Sequence, residues 1–228
     1  MLDIFEYLAE RPYPGRGILI GRTPNGALAA AYFIMGRSEN SRNRIFAETP
    51  DGIRTLAHDP SKMTDPSLII YHPVRRVEDK LIITNGDQTD TIAEYLKQGK
   101  SYQDALNTRT FEPDPPNFTP RISVVDSGRG YAVSILKTIN GDESCCGRFY
   151  YEYENAKNGT GHFISTYKGF GDPLPSFFGE PVYATIPDFN AEELAAALWE
   201  VLNEDNRVSI YTIVGDEHAI INKHGDAL

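Results

Sequence analysis

The chain has 228 residues, 40% of them hydrophobic and 24% charged, which excludes a disordered or collagen-like polymer. A chain of this length buries about 70% of its unfolded surface, so it needs no disulfide staples. The net charge of −10 argues against a nucleic-acid-binding face, which would have to be basic, but not against an anionic small molecule held by a few arginines.

In chain order, residues 3–10 read as a short helix, ended by Pro12, Pro14 and Gly15. No long apolar core follows Met1, so no signal peptide is expected. Two apolar strands, 17–22 and 28–35, flank Pro24-Asn25-Gly26, and Asn-Gly is a strong hairpin signal. Further strands are expected at 44–48, 67–71, 80–84, 121–125, 131–139, 148–154, 161–168, 182–186 and 208–214, all rich in aromatic and β-branched residues. Helices are expected at 90–98, from an N-cap at Ser101 to near Asn107, and at 190–204. In the last of these, Asn190 caps, Glu193 sits at the third position, and Leu194, Leu198, Val201 and Leu202 form a stripe that reads as core packing. The proline-rich segment 112–120 is too short for a domain linker and reads as a rigid loop. Strands outnumber helices and no βαβ alternation appears, so the expectation is one α+β domain over 1–228, with antiparallel sheets covered by helices.

Four polar segments could carry chemistry. Gly36-Arg37-Ser38-Glu39-Asn40-Ser41-Arg42-Asn43-Arg44 is a local positive patch, and arginine forks with hydroxyl and amide donors suit a phosphate monoester. The plain alternative is a solvated loop. In 84–90, Asn85-Gly86 permits an unusual turn before a helix, while Asp87 and Asp90 could simply cap that helix. In 112–121, Glu112 is a carboxylate on a rigid loop, near Asn117, Thr119 and Arg121, and such a position suits acid–base work. Tyr71, at a strand end before His72-Pro73, could donate a proton, although a strand tyrosine is more often packing.

Other signals are absent. There is no glycine-rich dinucleotide loop, P-loop or nucleophile elbow. The five histidines show no metal-ligand spacing with Cys145 and Cys146. Those adjacent cysteines are the only two in the chain; they build no disulfide framework and fit a reducing cytoplasm. No metal and no cofactor are expected, and no apolar run approaches the roughly 20 residues of a membrane helix.

The polar segments, in this order, resemble the IMP cyclohydrolase family of the archaeal type. The resemblance rests on GRGILIGRT, GRSENSRNR, IIYHPVRRV, IITNGDQTDTIAEYLKQG, FEPDPPNFTPRI and ISTYKG, which together cover most of residues 15–168. It implies a fold like the N-terminal nucleophile hydrolases, a four-layer α-β-β-α sandwich. Residue 2 is Leu2, so removal of Met1 would expose no nucleophile, and N-terminal nucleophile hydrolysis is not expected. The implied reaction closes the purine ring: the carboxamide nitrogen of 5-formamidoimidazole-4-carboxamide ribotide attacks its own formyl carbon, and water leaves to give IMP. The resemblance places Tyr71 and Glu112 as the proton-handling pair, with Asn85 orienting the carboxamide and Arg121 holding Glu112 or the phosphate. Arg37, Asn43 and Arg44 would bind phosphate or base, with Ser38, Gly86, Asp87 and Thr119 as further substrate contacts. The expected partner is a purine nucleotide, with no nucleic acid and no membrane, in a cytoplasmic homo-oligomer. Two rivals are an amide hydrolase using Cys145 or Ser144 on the same fold, and a nucleotide-binding protein without catalysis.

Overall fold

The computed structural model describes residues 1–225 and consists of two antiparallel sheets with helices on their outer faces, an α+β sandwich. Helix α1 (Ile4–Ala9) starts where the Asp3 carboxylate accepts from the Phe5 and Glu6 amides. Strands β1 (Arg16–Arg22) and β2 (Leu28–Met35) follow, joined by the expected turn with Gly26 at φ +84°. The first sheet is ordered β11-β10-β1-β2-β12-β13, the added strands being β10 (Thr160–Ser165), β11 (Val182–Thr185), β12 (Arg207–Val214) and β13 (Glu217–Asn222). The second sheet runs β3 to β9 in chain order: Arg44–Thr49, Gly52–Ala57, Val74–Val77, Lys80–Thr84, Arg121–Asp126, Tyr131–Ile139 and Asp142–Tyr153.

Period-two alternation sorts each strand between layers. In β2, Ala30, Tyr32 and Ile34 join the core between the sheets, with Ile18 and Ile20 of β1 and Ile122 and Val124 of β7. Ala29, Ala31 and Phe33 turn the other way, against Ile4 and Leu8 of α1 and Leu194 and Leu198 of α5 (Ala191–Val201). On the second sheet, Ile82, Val125 and Leu136 pack against Ile92 and Ala93 of α3 (Gln88–Lys97) and Ala105 and Leu106 of α4 (Tyr102–Asn107). Ser101 with Asp104 and Asn190 with Glu193 close reciprocal capping boxes, as the spacing implies.

The same alternation puts Arg16 and Arg22 on the inter-sheet face of β1, one at each end. Arg22 Nη2 donates to Asp126 Oδ1 at 2.6 Å and to the Gly128 carbonyl at 2.6 Å, both from the opposite sheet's side. That pair is buried and seals its end of the sandwich.

Several expectations are corrected. Residues 67–71 form a turn rather than a strand: Pro66 starts it, and its carbonyl accepts from the Ile69 and Ile70 amides. β4, β5 and β13 were not expected; polar and charged residues interrupt their apolar pattern, and their pairing partners decide them. β9 begins at Asp142, because its exposed first half is held by β8 rather than by burial. A short helix, α2 (Glu39–Arg42), sits inside the arginine-rich segment, capped by Ser38.

Candidate active site

At the Arg16 end the sandwich is open. A cleft of about 300 Å³ lies there, at the lower end of the usual 300–1,000 Å³ of small-molecule pockets. β1 contributes Arg16, the β2–β3 connection contributes Arg37, Ser38, Ser41 and Arg44, and the 112–119 loop contributes Glu112 and Thr119. Tyr13, Tyr167 and Leu174 close the remaining sides. A larger groove, of about 590 Å³, lies beside α4 and contains none of the polar segments singled out from the sequence.

Glu112 occupies the buried centre, 2% exposed. Its amide donates to the Thr119 carbonyl at 2.9 Å, which pinches the proline-rich loop into a closed turn. Thr119 is tied in turn to Asp114 and the Tyr167 hydroxyl. Glu112 Oε2 accepts from Arg16 Nη2 at 2.8 Å, while Oε1 accepts no hydrogen bond among the described residues. Burial pushes the Glu112 carboxyl above the ordinary glutamate value; Arg16, and more weakly Arg121, pull it back without cancelling the shift. Burial is the largest influence on Arg16 and opposes its charge, but Glu112 together with Tyr71, Tyr32 and Tyr167 outweighs it, and the guanidinium stays well above its usual value. The arginine therefore stays charged throughout, and the carboxyl is the member whose proton can move.

Arg44 is different. It is 3% exposed, and its hydrogen bonds go to the Ser41 and Met35 carbonyls, at 2.7 Å and 3.3 Å. No carboxylate among the described residues comes within 4.0 Å of it. Burial pushes its pKa down; Tyr71 opposes that and Arg16 adds to it. A buried cation beside a cleft with only neutral partners is a ready site for an anion. Arg37 lies at the mouth, exposed, its guanidinium 5.1 Å from the Tyr13 ring centre. Tyr13 stacks on Tyr167 at 6.1 Å and on Phe170 at 5.9 Å.

The remaining expected residues stand behind this cleft. Tyr71 is 4% exposed, its hydroxyl 2.8 Å from that of Tyr32, and both Arg16 and Arg44 feel its field. Asn85 is spent internally: Oδ1 accepts from the Ile122 amide and Gln88 Nε2, and Nδ2 donates to the Pro120 carbonyl. Its carbonyl accepts from Arg16 Nη1 at 3.1 Å. Asn43 likewise clamps Asp59 through both backbone groups. Arg121 Nη1 donates to Asp87 and Gln88, both at 2.7 Å, and Asp87 also pairs with Arg109 instead of capping α3. Gly86 is demanded by close approach, since a Cβ there would lie 2.6 Å from Arg121 Nη1 and 3.4 Å from Glu112 Oε1. Cys145 and Ser144 lie on β9, exposed, and do not line the cleft. Among the described residues no group of three His, Cys, Asp or Glu is placed to hold a metal, and no helix is long and apolar enough to cross a membrane.

Sequence reasoning gave Arg16, Tyr13 and Tyr167 no role, and named Ser41 only as a donor within the 36–44 patch. For Arg16 a signal existed: Arg16, Ile18, Ile20 and Arg22 share one strand face, so an arginine must sit at each end of an apolar stripe. Tyr167 lies in the ISTYKG stretch, but nothing in the local pattern there or around Tyr13 turns either ring toward the cleft.

Comparison with known proteins gives the same direction. The chain is 33% identical over 169 residues to the IMP cyclohydrolase of Methanopyrus kandleri, covering 72% of this chain and 79% of that protein. It is 29% identical over 210 residues to the IMP cyclohydrolase of Methanosphaera stadtmanae, covering 83% and 97%. It is 34% identical over 148 residues to an IMP cyclohydrolase of Methanococcus maripaludis, covering 61% and 72%. The family model for IMP cyclohydrolase-like proteins matches residues 13–219, a span that contains every cleft residue from Tyr13 to Leu174, and the chain belongs to that family.

Proposed function

We propose that this protein is an IMP cyclohydrolase, closing 5-formamidoimidazole-4-carboxamide ribotide to IMP with loss of water. The observation that carries the reading is the meeting, in one cleft, of the buried Arg44, with no carboxylate within 4.0 Å among the described residues, and the buried Glu112 carboxyl, whose pKa burial raises. Ring closure joins the carboxamide nitrogen to the formyl carbon; the carboxamide nitrogen gives up one proton, the formamido nitrogen gives up another as the new C=N bond forms, and the formyl oxygen departs as water carrying two protons. The reacting groups already share one molecule, so orientation supplies much of the rate. Arg44 and Arg37, with Ser38 and Ser41, take the phosphate. Glu112 Oε1, the oxygen without a protein donor, takes the carboxamide nitrogen's proton. Tyr71 delivers a proton to the formyl oxygen, whose developing charge the fixed Arg16 guanidinium stabilises.

The other expected residues fit supporting roles. Arg121, anchored by Asp87 and Gln88, sets the electrostatics beside Glu112. Asn85 holds the β6 and β7 ends in register for Arg16, and Asn43 fixes the segment after β4. Gly86 leaves room, and Thr119 shapes the Glu112 loop. The same reading takes residues 1–228 as a single domain with the layered fold of the N-terminal nucleophile hydrolases, supported by helices on both outer faces of the paired sheets. It also takes the protein as a cytoplasmic homo-oligomer.

The test is direct: purified protein is mixed with the formamido ribotide, and IMP is followed by absorbance and chromatography. IMP formation is the expected result. Tight IMP binding with no turnover would identify a binding protein instead, and loss of turnover on thiol alkylation would favour the amide hydrolase.

A further inference from the structure

Tyr32 is out of place in its strand. It is fully buried, at 0% exposed, on the inter-sheet face of β2 among Ala30, Ile34, Ile18 and Ile20. Its ring stacks on Phe46 at 5.7 Å, a contact a phenylalanine would make equally well. The hydroxyl is therefore the distinguishing atom, and burying it is costly unless it is bonded. Among the described residues its one partner is the Tyr71 hydroxyl, at 2.8 Å.

Hydrogen-bond satisfaction fixes the direction of that contact. If Tyr71 donated, the Tyr32 hydrogen would be stranded in an apolar core with no acceptor. If Tyr32 donates, its hydrogen is bonded and the Tyr71 hydrogen is released. Burial also pushes the Tyr32 hydroxyl well above the ordinary tyrosine range, with Tyr71 adding to that shift and Arg16 and Arg44 opposing it, so Tyr32 retains its proton. Tyr71 is held at its other end as well. Its amide donates to Thr55 Oγ1 at 2.8 Å, and its carbonyl accepts from the Thr55 amide at 2.9 Å. Thr55 fixes the backbone and Tyr32 fixes the hydroxyl.

We propose that Tyr32 is a positioning residue: it donates to Tyr71 Oη and so turns the Tyr71 hydrogen away from the core, toward the groups that Arg16 and Arg44 bring to the cleft. The inference rests on the cyclohydrolase reading for its kinetic consequence but not for its geometry.

Two measurements test it. In Tyr32→Phe, kcat for IMP formation should fall by about tenfold or more, the usual worth of a hydrogen bond to a reacting group, with KM held within about threefold. In a Tyr71→Phe background the same change should cost nothing further, because the pair acts as one unit. A merely structural tyrosine would lose as much in both backgrounds, and that result, or an unchanged kcat, overturns the proposal. The second measurement needs no activity. Neutron diffraction from deuterated wild-type crystals should place the deuteron on Tyr32 Oη, directed at Tyr71; a deuteron on Tyr71 directed at Tyr32 overturns it. Failure of the wild type to form IMP would sink the cyclohydrolase reading alone, and the neutron map would still decide the orientation.

Discussion

Arg44→Met separates binding from stability at a single side chain. The arginine is 3% exposed, has no carboxylate partner among the described residues, and has its pKa pushed down chiefly by burial. An isolated buried charge is costly, and the bonds it makes to the Ser41 and Met35 carbonyls are to neutral acceptors. Methionine keeps much of the volume without the charge. The gain from removing the charge therefore offsets the lost bonds, each worth about 1 kcal/mol. Thermal unfolding of the ligand-free protein should shift by no more than about 1 kcal/mol, or about 2–4 °C in Tm for a chain of this size. Binding should respond very differently. A charge-assisted bond to phosphate is worth about 1.5–3 kcal/mol, so IMP affinity by calorimetry should fall about 10- to 150-fold. Arg16→Met supplies the contrast, because it leaves Glu112 buried without its partner. Removing one member of a buried pair costs about 3–5 kcal/mol, or about 6–20 °C in Tm. If Arg44→Met melted as early as Arg16→Met, or bound IMP as tightly as the wild type, Arg44 would be a structural residue and the anion site would be wrong.

Glu112→Gln keeps the shape and should lower kcat by about 10²–10⁴-fold while IMP still binds. Because burial raises Glu112 above the ordinary glutamate value, the folded protein holds this proton more tightly than the unfolded chain. Its contribution to stability is full below the ordinary value and lost as pH rises through the raised one; Tm against pH should flatten over that window in the glutamine variant, and a slope identical to wild type would refute the shift. Cys145→Ser with Cys146→Ser, assayed after dialysis against a strong chelator, should turn over at near the wild-type rate, and loss of activity in a folded variant would move the chemistry toward a thiol or a metal. Gly17→Ala would bring a Cβ to 2.3 Å from Phe33 Cζ and 2.8 Å from Phe163, and should cost about 1–3 kcal/mol in denaturant unfolding.

Much of this architecture is legible in the chain. The strands with uninterrupted apolar pattern, such as 28–35 and 131–139, are recovered with their ends, because burial on both faces leaves its mark on composition. β4 and β5 are not, since Arg54, Arg75 and Arg76 break the pattern and only pairing identifies them. At the cleft, residue types point to two of the segments that line it, 36–44 and 112–121, but not to the direction of side chains. The family resemblance implies that Asn85 orients the substrate carboxamide, and the local sequence shows only a turn between a strand and a helix. Its amide instead satisfies the backbone of β7 and Pro120, a long-range need that no local spacing encodes. Tyr32 is unreadable for the same reason, as the polar contact it makes among the described residues lies 39 residues away.

The arginines at the two ends of β1 act as bolts. Arg22 fastens its end of the first sheet to Asp126 and Gly128, and Arg16 fastens the other end to Asn85 and Glu112. Prising the sheets apart would break both fastenings and strand the four buried charges of Arg16, Arg22, Glu112 and Asp126 at once. Ligand traffic cannot proceed by hinging the sandwich. It has to pass through the rim, where Tyr13 lines the cleft and stacks on Phe170, itself 55% exposed. The rate of product release is thereby decoupled from the rigidity of the core, and substitutions in the 168–179 rim can retune the first without loosening the second.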